Sequence, residues 1–166
     1  RAIATTAGRY RLASVSKVIA AAVAARLAER GIVDLDAPIG QYRPSLPAAH
    51  QQTTLRQLLA HTGGVRHYVG SDYDPRRPGG AIDQRTYRNT DEALSIFIHD
   101  PLVSVPGEVF NYSTFGYTLM SAVLESATRL SFPYLVETEV TRPLDLHTVG
   151  PDVIGARVPD RVRCYQ

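Results

Sequence analysis

The sequence is poor in several features that would point to a function directly. It has a single cysteine, Cys164, so no disulfide can form within the chain, and its five histidines show neither HExxH nor a Cys/His cluster able to hold zinc. The expectation is therefore a protein with no metal and no other cofactor. A formal net charge of +2 is dispersed over 166 residues, with no basic run interleaved with aromatics, which argues against nucleic acid as a partner. No apolar stretch reaches the roughly 18–20 residues of a membrane span, because Arg26, Glu29 and Arg30 interrupt the longest candidate. Neither Gly-x-x-x-x-Gly-Lys nor a strand-linked Gly-x-Gly-x-x-Gly occurs, so nucleotide binding has no support. No serine sits in a Gly-x-Ser-x-Gly elbow, which disfavours a Ser-His-Asp enzyme. Lysine is the scarcest charge: Lys17 stands alone against seventeen arginines.

What the chain does have is apolar material, 44% of its residues, enough for one sizeable core and so for one domain or part of one. Its first residues, RAIATTAGRYRLAS, carry no apolar signal region and no initiator Met, while ARVPDRVRCYQ closes the sequence without a cap or tail. Alternation from Thr6 to Leu12 resembles a strand weakly, and a fragment that begins inside a domain is the expectation.

Between these ends the pattern is helical. Ile19, Val23 and Leu27 recur at i+4 from Ser16 to Arg30, with Arg26 and Arg30 at the negative end and Gly31 as C-cap. IVDLDAPIGQYRPSLP, with three prolines, predicts an extended connector. Thr54-Leu55-Arg56-Gln57 matches a capping box for a short helix to about Ala60, before His61-Thr62-Gly63-Gly64 turns the chain. Residues 65–88 are a polar loop with five arginines and three tyrosines, read as mobile surface ahead of a lid. Thr90 predicts an N-cap for a helix of two to three turns ending before Pro101. A helix from Thr114 to Arg129 has few charges on any side and is expected to be buried nearly all round. Ser131 and Pro133 open a last helix that stops at Thr141-Arg142-Pro143. A helical block with a strand at each end reads as an insertion into a sheet.

Ser14 and Lys17 stand three apart at the start of the long helix and so share a face. Serine is a weak nucleophile until a base removes its proton, and a partly desolvated lysine can be that base. Arginine cannot, which gives the single lysine a chemical reason for its place. The positive end of the helix would favour an oxyanion forming beside Ser14, whereas the adjacent Ser16 points elsewhere. Ser-x-x-Lys alone is weak, since about one chance match is expected in a chain this long; the plain alternative is a serine cap and a solvated lysine. Tyr112, in a turn before the buried helix, is a phenol whose proton an ammonium nearby would loosen, or else a half-buried aromatic with a satisfied hydroxyl. His61 reads as a turn histidine bonded to backbone.

RLASVSK, DLDAPI, LRQLLAHTGG, PGEVFNYSTFGYTLMSAVLE and RPLDL occur in the order found in the serine β-lactamase-like superfamily, which includes class C β-lactamases, penicillin-binding DD-peptidases and related esterases. GVRHY and NYSTFGYTL are most similar to its LACTB-like serine hydrolases. The resemblance runs from about residue 9 to residue 148. It implies the α/β β-lactamase/transpeptidase-like fold, of which this chain would be the helix-rich N-terminal part, with most of the antiparallel sheet missing. Residues 1–13 would be a sheet strand, 14–31 the nucleophile helix, 32–148 a mostly helical subdomain, and 149–166 a lead back toward the sheet.

It further implies that Ser14 is acylated, that Lys17 activates it, and that Tyr112 assists proton transfer. Thr114 takes the position where the Tyr-x-Asn motif has an amide, so it becomes the substrate-binding candidate, and peptides or esters are expected as substrates rather than β-lactams. Gly63 stands where many relatives have serine. The third motif of such enzymes, Lys-Thr-Gly or His-x-Gly, is absent from these residues and is expected after Gln166, so the segment alone is expected to be incomplete and to need the rest of its domain as partner. A non-catalytic scaffold or ligand-binding relative, motivated by Thr114 and the 65–88 loop, is the competing hypothesis.

Overall fold

A computed structural model describes residues 8–76, 80–153 and 155–162. A 3₁₀ turn, Ala13–Val15, leads into α1, Ser16–Glu29. Val23 and Leu27 are fully buried on one face of α1, as their i+4 spacing predicts. The helix ends in a Schellman motif: Ile32 N–H reaches the Leu27 carbonyl and Gly31 N–H that of Ala28, each at 2.9 Å, with Gly31 at a left-handed φ of 67°.

The stretch expected to be an extended connector is more structured than that. It contains a 3₁₀ turn, Ile39–Gln41, and Pro47 then caps a one-turn helix, α2, Ala48–Gln51. Pro38 and Pro47 serve as entry points to these turns, where a missing N–H costs nothing. α3, Leu55–Leu59, begins with the expected capping box: Gln57 N–H donates to the Thr54 hydroxyl at 3.2 Å, and Thr54 N–H to the Gln57 side chain at 3.0 Å. Such a cap stabilises a helix by about 1 kcal/mol.

α4, Thr90–Leu94, is shorter than predicted, and its N-cap is Asn89 rather than Thr90. Asn89 accepts the Glu92 N–H at 3.0 Å, while the Thr90 hydroxyl is taken by Glu125. After Leu94 the chain tightens into turns that bury Phe97 and Ile98, and Phe97 stacks on Phe115 with ring centroids 4.4 Å apart. α5, Thr114–Thr128, is the central element, and every residue from Leu119 to Leu124 is buried. It packs against α1, α3 and α4, and against α6, Phe132–Val136, which has Pro133 in its first turn and runs on into a π turn, Glu137–Thr141. Full burial of each leucine or phenylalanine here contributes about 1.5–3 kcal/mol, so the helices hold together through one apolar core around α5.

The described residues contain no strand longer than a single bridge. Of the strand expected over residues 6–12, only Thr6 and Ala7 lie outside them, as does Cys164; residues 8–12 form no strand, only the single bridge at Arg9. Within them Arg9 pairs with Arg161 in parallel, Val162 N–H donating to the Arg9 carbonyl at 3.0 Å, and Asp152 binds both Arg11 and Arg161. Residues 9–11 thus lie beside residues 160–162 and Asp152, next to the start of α1.

Candidate active site

Ser14 lies in the 3₁₀ turn at the mouth of α1 and is exposed; Lys17 follows one turn later and is half-buried. Lys17 Nζ donates to Ser14 Oγ at 3.3 Å. Neither serine caps the helix, whose N-cap position is Val15, and Ser16 turns back to donate to the Ala13 carbonyl at 2.6 Å. The cap alternative therefore fails, and of the two serines Ser14 is the one that faces the lysine. Ala13, just before it, has a φ of 46°, a left-handed conformation that costs a non-glycine residue about 1 kcal/mol. Strain of this kind collects where a side chain must be aimed.

Tyr112 arrives from 98 residues away, and its hydroxyl donates to Ser14 Oγ at 2.8 Å. The Lys17 ammonium lies 5.0 Å from the centre of the Tyr112 ring and 5.6 Å from that of Tyr117, whose hydroxyl is tied to the Leu59 carbonyl at 3.1 Å. Among the described residues no carboxylate forms an ion pair with Lys17, so its charge is directed at the phenol and the serine. The Tyr112 phenol is held below its ordinary pKa, first by Lys17 as donor to its oxygen, then by Ser14, with the Lys17 charge and the Thr114 hydroxyl adding and burial opposing. Ser14, Lys17 and Tyr112 therefore form one hydrogen-bonded group, and Thr114 stands at its edge as the first residue of α5.

The turn that carries Tyr112 is fixed from several directions. Ser113 is buried; its hydroxyl accepts the Gly116 N–H, capping α5, and donates to the Arg66 carbonyl, both at 2.8 Å. Ser113 N–H donates to His61 Nδ1, and Thr114 N–H to His67 Nδ1, each at 3.1 Å. His61 is thus the backbone-bonded turn histidine the sequence predicts, whereas His67 and Arg66 were not singled out by residue, although both lie within GVRHY. Arg66 binds Asp72 and Asp100, packs over the Phe115 ring at 4.9 Å, and pins the start of the 65–88 loop beside the site. The His61 turn is sewn to the segment leading to Tyr112 by Asn111 N–H to the His61 carbonyl, Gly107 N–H to Thr62 and Val103 N–H to Gly64, at 2.7, 2.8 and 2.9 Å. Gly63 faces the core: a Cβ there would lie 2.7 Å from a methyl of buried Leu58.

Among the described residues no three His, Cys, Asp or Glu side chains stand together to hold a metal, and no helix is long and apolar enough to cross a membrane. The chemistry this geometry offers is that of a hydroxyl flanked by an ammonium and a phenol, which suits nucleophilic attack with proton transfer.

Comparison with known proteins points to the same class. Esterase EstB of Burkholderia gladioli is 34% identical over 150 residues, covering 85% of this chain and 38% of its own. The human mitochondrial serine beta-lactamase-like protein LACTB is 24% identical over 216 residues, covering 93% of this chain and 39% of its own. The crystal structure of a penicillin binding protein from Bacillus halodurans superposes with a TM-score of 0.75 at 27% identity, over 87% of this chain and 42% of that one. The chain therefore spans about two-fifths of the length of these relatives, and it corresponds to a helix-rich part of the β-lactamase/transpeptidase-like fold. A sequence profile of the Beta-lactamase family matches residues 3–161, nearly the whole length, and the chain belongs to that family.

Proposed function

We propose that this chain carries the nucleophile of a serine hydrolase that works through an acyl-enzyme on Ser14. The observation that carries the reading is the group of three: Ser14 Oγ lies 2.8 Å from the Tyr112 hydroxyl and 3.3 Å from Lys17 Nζ. Ser14 Oγ adds to the carbonyl carbon of an amide or ester while its proton passes to Lys17 in its amine form, directly or through the Tyr112 hydroxyl, which gives its own proton to Lys17 as it takes that of Ser14. The carbonyl oxygen takes up the negative charge near the positive end of α1. The same proton then goes to the leaving nitrogen or oxygen as its bond to carbon breaks, and water repeats the sequence to release the acid. Thr114 offers a hydroxyl to the substrate at the edge of the group. The exposed apolar surface at the start of α1 and in the turn before it, with Val18 71% and Val15 63% exposed, is where the remaining sheet of the domain would pack, completing the site.

The test is hydrolysis of nitrophenyl esters and of small peptides by the intact protein. Ser14→Ala should abolish turnover, and Tyr112→Phe should lower kcat by about 10²–10⁴-fold, the usual cost of losing a proton-transfer group. Full activity in Ser14→Ala would refute the reading and favour the scaffold hypothesis.

A further inference from the structure

Two histidines converge on the turn that carries Tyr112, from different parts of the chain. His61 comes from the turn after α3 and His67 from the start of the 65–88 loop. Their rings flank the phenol: the His61 ring lies 4.5 Å from that of Tyr112, tilted by 39°, and the His67 ring 5.3 Å away, edge-on at 77°. Each accepts one of two consecutive backbone N–H groups, Ser113 and Thr114, through Nδ1. A neutral imidazole whose Nδ1 accepts must carry its proton on Nε2, and an imidazolium has no acceptor at all. Both bonds therefore exist only while both rings are neutral and in one tautomer.

We propose that His61 and His67 are positioning residues for acylation: as Nε2–H tautomers they grip the 113–114 backbone and so set where the Tyr112 hydroxyl stands relative to Ser14 Oγ. The inference rests on the serine hydrolase reading for its kinetic consequence, but its structural content does not. The groups facing the clamp support neutrality. His61 meets Lys17 from α1, Tyr112 and Tyr117 from α5 and the turn before it, and His67; His67 meets Lys17, Tyr112 and Tyr68, whose ring is tilted by 39° with its centroid 3.7 Å away. Among the described residues neither ring has a carboxylate partner to support a positive charge. Burial first, and then the Lys17 charge, keep both below the ordinary histidine value. Acid should therefore release the turn, and activity should fall as the histidines protonate.

The experiment compares two substitutions at each position in the intact protein. Asparagine places an amide oxygen near the Nδ1 position, whereas glutamine extends toward the Nε2 position and leaves the N–H without its acceptor. His61→Asn and His67→Asn should keep kcat within about threefold, while the glutamine variants should lose about 10–100-fold in kcat with KM little changed, the cost of moving a catalytic group by a fraction of an ångström to an ångström. Equal behaviour of Asn and Gln at both positions would overturn the proposal. NMR supplies the arm that needs no turnover: nitrogen shifts should show both rings as Nε2–H tautomers, and the Tyr112 ring-carbon titration should return toward ordinary tyrosine in His61→Gln. An Nδ1–H tautomer, or a Tyr112 titration unchanged by His61→Gln, would refute the clamp even if the hydrolase reading stood. Failure of turnover in every form, with the NMR as expected, would instead refute the hydrolase reading alone.

Discussion

Alanine substitution at three glycines separates backbone strain from crowding around the His61 turn. Gly64 has a φ of 70°, and a Cβ there would fall well inside contact distance of the Ser104 carbonyl oxygen. Its own carbonyl accepts the Val103 N–H at 2.9 Å, so the 61–64 turn and the 102–105 segment cannot separate to make room without losing that bond. The left-handed conformation costs a Cβ-bearing residue about 1–2 kcal/mol, and forcing an atom into closed space adds about 1–3 kcal/mol. Gly64→Ala should therefore lose roughly 2–5 kcal/mol of stability. Gly31 has a φ of 67° but nothing within 4 Å of its Cβ position, so Gly31→Ala should show the conformational cost alone, about 1–2 kcal/mol. Gly70 has neither feature, and Gly70→Ala should stay within about 0.5 kcal/mol of the parent. Urea denaturation of the three variants in the intact protein reads the order directly. If Gly64→Ala were no less stable than Gly31→Ala, the close packing of the His61 turn on Ser104 described above would be wrong.

Other substitutions probe charge and titration. Arg66→Met should destabilise by about 3–5 kcal/mol, because it removes the guanidinium that buried Asp72 and also Asp100 bind, and Arg66→Met with Asp72→Leu should recover part of that loss in a double-mutant cycle. His50 is buried, donates through Nε2 to the Ile98 carbonyl at 3.0 Å, and is held below its ordinary pKa by burial first. The unfolded chain then binds the proton more readily than the folded one, so stability present above about pH 6.5 should be lost as pH falls toward the lowered native value. His50→Gln, which keeps a donor but cannot titrate, should flatten that slope in pH-dependent urea melts; an unchanged slope would show that other groups carry it. Thr114→Asn, restoring an amide beside Tyr112, should raise reactivity toward a penicillin relative to an ester, measured as the ratio of acylation rates, and no change in the ratio would count against Thr114 as a substrate contact.

Local chemistry was legible along the chain, and long-range geometry was not. The Thr54–Gln57 capping box and the Gly31 stop involve groups within five residues of each other, so their patterns survive into the structure unchanged. Ser14 and Lys17 were legible for the same reason. Asn89 and Thr90 are both competent caps, and the choice was made by Glu125, 35 residues from Thr90, which takes the Thr90 hydroxyl. The short helices among the prolines of 32–51 depend on Ile39 finding its place in the core and on Ile39 N–H meeting the Thr53 carbonyl, neither of which a proline count reveals. Tyr112 entered through its surroundings in sequence, but its contact with Ser14 spans 98 residues. His67 and Arg66 lay in a quoted motif, and their roles become visible only once backbone N–H groups from the 113–114 turn are seen to need acceptors.

Ser14 as a nucleophile and Lys17 as a cation that can give up its proton are the centre of the proposed chemistry. Peptide mapping by mass spectrometry after fluorophosphonate treatment of the intact protein tests both at once, with Lys17→Arg as the comparison, since arginine keeps the charge but cannot act as a base. The expected result is a single adduct on Ser14 in the parent and its near-complete loss in Lys17→Arg. An adduct on another residue, no adduct in the parent, or undiminished labelling of Ser14 in Lys17→Arg would contradict it.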